Sequence, residues 1–288
     1  WNAAKQLQGK ELSFNNLLDL ESALSTVLEF HYGQKQNSRT EINASVILKH
    51  NNPCGAALAD SLSDAFRKAL DCDSTSAFGG IVAFNNNVDI ATAELLSNIF
   101  LECVVAPSFD KEALKILNIK KNLRLLELNK ENIKIDNKTT FKSILGGILE
   151  QDNDNEIDQE NEWSYVTQTK PSTEEFNDLR FAWKICKHVK SNAIVIAKNL
   201  TTIGIGAGQM NRVGAAKIAL EASKGKANSA VLASDGFFPF SDSVEIANEY
   251  GIRSIIQPGG SVRDKDSIDM CNKLGISMIF TNRRHFLH

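Results

Sequence analysis

Lys49 and His50 stand side by side at the end of an apolar run and are followed by Asn51-Asn52-Pro53-Cys54-Gly55. Histidine is the usual general base near neutral pH, and a neighbouring lysine can supply a proton or a fixed positive charge. Adjacent side chains on an extended strand point to opposite faces, so these two reach one ligand only if the chain turns there. Asn-Pro followed by Gly supplies such a turn. Taken alone, the pair reads better as a surface lysine and a capping histidine at a strand end. Zinc deaminase chemistry would need H-x-E and P-C-x-x-C. His50-Asn51-Asn52 lacks the glutamate and Ala57 stands where the second cysteine belongs, so these residues argue against a catalytic metal.

Further along, Ile203-Gly204-Ile205-Gly206-Ala207-Gly208-Gln209 has the spacing G-x-G-x-G, not the G-x-G-x-x-G of a dinucleotide loop. Its glycines allow close backbone approach to a ligand or another strand. Arg212, about a turn later, has the fork that binds a carboxylate or phosphate. Ser234-Asp235-Gly236-Phe237-Phe238-Pro239-Phe240-Ser241-Asp242 sets three phenylalanines beside two aspartates. Such a loop suits stacking on a heterocycle with a carboxylate reading its polar edge, and equally a packed corner with Asp242 as helix cap. Gln257-Pro258-Gly259-Gly260-Ser261-Val262-Arg263 is a strand-end turn with amides and a charge to offer. The chain closes on Arg283-Arg284-His285-Phe286-Leu287-His288, too aromatic and basic for an ordinary disordered tail. A packed end would leave Arg284 to meet an anion.

The elements that must position these residues are those of an α/β protein. Seven short apolar runs read as strands: 45–48, 80–84, 102–106, 193–197, 230–233, 254–257 and 278–281. Their alternation with amphipathic stretches predicts a covered, largely parallel sheet. Asp242 with Glu245 forms a capping-box pattern closed by Gly251. Asp264 or Asp266 opens a helix that Gly275 closes, and Glu174 and Glu175 occupy the first turn of another. The acidic stretch Glu150–Glu162 reads as the join between two related lobes, 1–155 and 156–288. A strand ending in Lys49-His50-Asn51 and then Ser76–Gly80 parallels a strand ending in Lys198-Asn199 and then Ser234–Phe238.

Composition bounds the rest. With 288 residues, 42% hydrophobic and 23% charged, the chain has ample core for one large domain or two lobes. A net charge of −3 gives no general reason to bind nucleic acid or an anionic membrane. There is neither a membrane-spanning run nor a signal peptide, and the five cysteines form no C-x-x-C pair. The expectation is a cytoplasmic protein with reduced, buried thiols. Without an initiator Met, the chain reads as a fragment or a processed form.

QLQGKELSFNN (6–16), KHNNPCG (49–55), STSAFGGIVAFN (74–85), VKSNAIVIAKN (189–199), IGIGAGQMNRV (203–213), ASDGFFPFSD (233–242), QPGGSVRD (257–264) and FTNRRHFLH (280–288) closely resemble, in this order, the AICAR transformylase family. The resemblance implies two lobes of cytidine-deaminase-like three-layer α/β/α fold and a homodimer with active sites between subunits. It implies formyl transfer from 10-formyltetrahydrofolate to the 5-amino group of AICAR, giving FAICAR, with Lys49, His50 and Asn192 as the catalytic group. Asn16, Gly79, Arg212, Phe237, Asp242 and Arg284 match substrate-binding positions. The family can hold a monovalent cation near the second lobe, which this sequence does not establish. An R-Y-G-x-x-P-H-Q segment that the family carries before QLQGKEL, and the N-terminal IMP cyclohydrolase domain, both lie outside this chain. The expectation is therefore no ring closure to IMP, weakened AICAR binding and, as the alternative, a catalytically impaired nucleotide- or folate-binding dimerisation fragment.

Overall fold

The computed structural model describes residues 1–32, 42–133, 139–154 and 160–288. The first half runs β1 (Lys5–Gln8), α1 (Phe14–Leu28), β2 (Asn43–Lys49), β3 (Asn52–Ala59), α2 (Leu62–Leu70), α3 (Ser74–Ala77), β4 (Gly80–Phe84), α4 (Ile90–Ser97), β5 (Leu101–Ala106), α5 (Lys111–Leu117) and β6 (Arg124–Glu127). A separate hairpin, β7 (Thr139–Ile144) and β8 (Gly147–Asp152), follows. The second half runs β9 (Ser164–Tyr165), α6 (Thr173–Cys186), β10 (Ile194–Lys198), β11 (Thr201–Gly206), α7 (Arg212–Ala222), β12 (Val231–Ser234), α8 (Asp242–Glu249), β13 (Ser254–Gln257), α9 (Asp264–Leu274) and β14 (Ser277–Phe280).

One twelve-stranded sheet carries both halves, in the order β1-β6-β5-β4-β2-β3-β11-β10-β12-β13-β14-β9. The order is the same read outward from either side of the central β3–β11 pair, where Thr201 faces Ala57. Each half repeats an antiparallel hairpin, then an antiparallel step to a parallel trio, then an antiparallel edge strand. The expected largely parallel sheet is thus corrected to a mixed one. The segments read as glycine turns are strands β3 and β11, and each folds back on its predecessor. Their glycines serve packing: a Cβ on Gly55 would overlap the Ala69 carbonyl oxygen of α2, and one on Gly204 or Gly206 would overlap carbonyl oxygens of α7. Without side chains there, helix and strand close to backbone contact.

Three layers result. Helices α1 and α6 cover one face through a core containing Leu20, Val27, Phe181 and Trp183 that runs across both halves. On the opposite face, α2, α4 and α5 bury Phe66, Phe84 and Leu96, while α7, α8 and α9 bury Leu220, Phe238 and Cys271. Fully buried strands such as β4 explain why those runs are continuously apolar.

Two local expectations change. Asp242 is the first residue of α8 and Ser241 its cap; Ser241 is itself helical, so its hydroxyl makes no capping bond, and Asp242 Oδ1 accepts from Ser243 N at 2.7 Å. Ser76–Gly80 precedes β4 whereas Ser234–Phe238 follows β12, so they are not counterparts. The register equates Asp235 with Asn85: Asn85 Oδ1 accepts from Ala44 N at 2.7 Å and Asp235 Oδ1 from Ala193 N at 3.0 Å. The expected closures hold, with Gly251 and Gly275 both at positive φ, and Ser172 and Glu175 form a capping box on α6. The expected boundary between residues 155 and 156 lies outside the described residues.

Candidate active site

Lys49 ends β2, Asn52 begins β3 opposite it, and the two residues between them, His50 and Asn51, have φ of +53° and +60°. This is the tight hairpin turn whose twist matches the strands it joins. The chain therefore turns two residues earlier than Asn52-Pro53 suggested. His50 is exposed, and Lys49 Nζ donates to the Phe78 carbonyl at 2.7 Å, beside Gly79. Gly79 has φ +73° and donates its N–H to Phe100 O at 2.8 Å. Asn51 N donates to Asp19 Oδ1 on α1 at 2.7 Å. With its amide nitrogen turned inward, Asn51 also donates to Asp19 Oδ1 at 2.8 Å and to Leu18 O at 3.1 Å. Asn16 is buried at the start of that helix, where it forms a capping box with Ser13.

Asn192 reaches the same sheet edge from the second half, just before β10. Its Nδ2 donates to Gln209 O at 2.7 Å, and its backbone pairs with Gln209 in both directions. Lys190 N donates to Asn52 Oδ1 at 3.0 Å, so one hydrogen bond ties the Lys49-His50-Asn51-Asn52 turn to the Lys190-Ser191-Asn192 segment. An open cavity of about 370 Å³ lies here, lined by Ser191, Asn192, Gln209, Met210, Phe286 and His288 among others.

Beneath Asn192 lies a charge pair that sequence reasoning missed. Asp235 is fully buried and accepts from Ala193 N, from the Ser191 hydroxyl and from the Arg212 guanidinium. It therefore holds both neighbours of Asn192. Arg212, expected to face a substrate anion, is buried and directed at Asp235, with a second bond to Ala193 O at 3.4 Å. Phe237 is exposed while Phe238 belongs to the core, and Asp242 sits half-buried at the head of α8. Arg284 is exposed and stacks over Phe286 at 5.1 Å. The end of the chain is packed: the His285 ring is buried against Trp183 at 4.7 Å and binds Asp154, and its backbone N–H donates to Asp235 O at 3.0 Å.

Lys49, His50, Gly79 and Asn192 therefore share one edge of the sheet, with Phe237 and Arg284 beyond the carboxyl ends of β12 and β14. In the first half that edge is the amino end of β4, because β2 runs against it. Arg212 lies behind the site. Asp19, Asn52 and Asp235 were not singled out from sequence. The spacing held a signal for one of them: an aspartate six residues after a capping serine occurs at Ser13/Asp19 and again at Ser172/Asp178.

Chemically, the edge offers an accessible imidazole, an ammonium with donors to spare beyond Phe78, and an amide nitrogen with one hydrogen uncommitted. That set can accept a proton, return one, and stabilise a developing oxyanion. Among the described residues, no helix is long and apolar enough to cross a membrane.

Comparison with known proteins supplies the lineage. The chain is 68% identical to the bifunctional purine biosynthesis protein PurH of Prochlorococcus marinus subsp. pastoris over all 288 of its residues, and 67% identical to the same-named protein of Prochlorococcus marinus strain MIT 9515. It covers 56% of each of these relatives, and so spans little more than half their length. A solved structure, Acinetobacter baumannii RibD form 1, overlaps 37% of this chain and 33% of its own at 18% identity and a TM-score of 0.28, too slight a likeness to bear on the fold. The AICARFT/IMPCHase bienzyme family matches residues 1–222, and with relatives this similar along its whole length, the chain belongs to that family.

Proposed function

We propose that this chain carries the formyl-transfer half of the family's chemistry: transfer of the formyl group of 10-formyltetrahydrofolate to the 5-amino group of AICAR, giving FAICAR on the route to IMP. The observation that carries the reading is the Asn52–Lys190 hydrogen bond, which brings Lys49 and His50 to the same edge as Asn192. An aromatic amine is a weak nucleophile because its lone pair is delocalised, so placement and proton removal dominate the barrier. His50 accepts the amine proton as the tetrahedral adduct forms. The free hydrogen of Asn192 Nδ2 stabilises the oxyanion, and Lys49 protonates the departing folate nitrogen. Phe237, Asp242, Gly79, Asn16 and Arg284 contribute to holding the two substrates. Arg212 contributes through Asp235, by fixing the segment around Asn192.

We assign the two halves to lobes 1–155 and 156–288. A second copy of the chain completes the site, a reading supported by the apolar side chains left exposed near this edge: Phe14, Leu18, Phe78, Met210 and Phe286. Cyclohydrolase activity is not expected of these residues. The test is incubation with both substrates and analysis of the nucleotide and folate products. FAICAR and tetrahydrofolate in equal amounts are expected; binding of both substrates without turnover would overturn the reading in favour of a binding module.

A further inference from the structure

The register of the sheet equates residues of the two halves. Ser45 faces Phe84 as Ile194 faces Ser234, so Asn43 corresponds to Asn192, Lys49 to Lys198, His50 to Asn199 and Asn51 to Leu200. The correspondence extends to hydrogen bonds: Asn43 Nδ2 donates to Asp60 O at 2.9 Å as Asn192 Nδ2 donates to Gln209 O at 2.7 Å. The second hairpin also turns through two residues at positive φ, Asn199 at +53° and Leu200 at +55°. It too is held by an aspartate of the covering helix. Asp178 accepts from Asn199 N at 2.8 Å and from Leu200 N at 2.6 Å, as Asp19 accepts from Asn51 N at 2.7 Å. Asp19 and Asp178 each lie six residues after the serine that caps their helix. The fold thus contains one device twice, with a histidine at the tip of one copy and an asparagine at the other.

On the reading that His50 is the general base, we infer that Asp19 is its positioning residue. A two-residue hairpin leaves the N–H groups of its central residues without partners inside the hairpin, and left-handed backbone is unfavourable for non-glycine residues. An external acceptor is needed to hold the turn in one shape. Asp19 supplies it from α1, whose buried face is fixed by Leu20, Ala23, Leu24 and Val27, so the attitude of the exposed imidazole is set by a rigid helix and not by the hairpin alone. Asp178 takes both N–H groups of its turn where Asp19 takes that of Asn51, at a hairpin given no part in the proposed transfer, which makes it an internal control.

The experiment compares Asp19→Ala with Asp178→Ala in the protein, reading steady-state formyl transfer, melting temperature and the NMR signals of the His50 imidazole. Asp19→Ala is expected to lower kcat by about 10- to 100-fold, the scale of a misplacement near 1 Å, with KM for both substrates nearly unchanged. Asp178→Ala is expected to lower the melting temperature at least as much while keeping kcat within about twofold. Asp19→Asn, which retains an acceptor oxygen, should recover most of the lost rate. The His50 signals should shift or broaden in Asp19→Ala and stay put in Asp178→Ala. Equal loss of kcat in both alanine variants, or full activity in Asp19→Ala, would overturn the inference. Silence from the unaltered protein would instead sink the functional reading, and unmoved His50 signals in Asp19→Ala would then overturn the positioning as well.

Discussion

Arg212 and Asp235 are buried together behind Asn192, and each would be an unpaired interior charge without the other. Removing one partner of such a pair typically costs about 3–5 kcal/mol. Asp235→Ala should therefore lower the free energy of denaturant unfolding by that order, and it should also abolish formyl transfer in whatever fraction remains folded, because Ser191 and Ala193 lose their acceptor. A variant with full stability would refute the role given to the pair. The thiols make a second prediction at this scale. Burial pushes Cys54, Cys103 and Cys271 up to about 12, Cys72 to about 11, and Cys186 well above the usual thiol range. A thiol-specific reagent at pH 8 should find all five unreactive in the native protein and all five reactive in denaturant. Lys49 and His50 read from residue type alone as a surface lysine and a capping histidine; only the ordered motifs of the family resemblance marked them as a catalytic pair. The direction of Arg212 was not legible, since a guanidinium beside a glycine run serves a ligand or a buried carboxylate equally well, and its carboxylate lies 23 residues away.

At the level of elements, the strands that were legible are the apolar, β-branched ones buried on both faces, such as β4 and β13. Strands β3 and β11 were not, because their glycines and the proline in β3 are the residues that ordinarily end strands. Here the glycines face helix backbones that a side chain would displace. Gly204→Ala and Gly55→Ala should each destabilise the protein by about 1–3 kcal/mol, the usual range for forcing extra volume into a packed contact. Urea titration measures it, and a neutral result would mean that helix and strand can separate at no expense. Gly208, at positive φ but in open space, is the comparison site where only backbone strain is felt.

Across the whole molecule, the repeat was legible in the strand ends at Lys49 and Lys198 but not in Ser76–Gly80 and Ser234–Phe238, which are not counterparts. Its axis was hidden because the pairing of β3 with β11 joins residues about 145 positions apart through a single bridge. Besides the Asn52–Lys190 hydrogen bond, a further tie between the halves lies on the face that α1 and α6 cover. Glu29, which caps α1, meets Lys187 and His188 just after α6, and Lys184 Nζ donates to its carbonyl at 3.0 Å. Burial alone would raise this carboxyl, but the hydrogen bond and charge of His188, with those of Lys187, overcome it and hold the group near 2. A depressed carboxylate contributes stability that is fully present above its ordinary value of 4.5 and is lost as the pH falls through about 2. Glu29→Gln should therefore be less stable than the parent at pH 6, and the two should converge as the pH approaches 2; parallel profiles would contradict the assignment. The central claim is that Lys49 and His50, on one half, act with Asn192, on the other, in a single formyl transfer. The most direct test is the rate of that transfer in the parent, Lys49→Ala and His50→Ala, with the melting temperature of each recorded. The account predicts activity in the parent that collapses by about 100-fold or more in both variants while the fold is kept. Unchanged rates in either variant would contradict it.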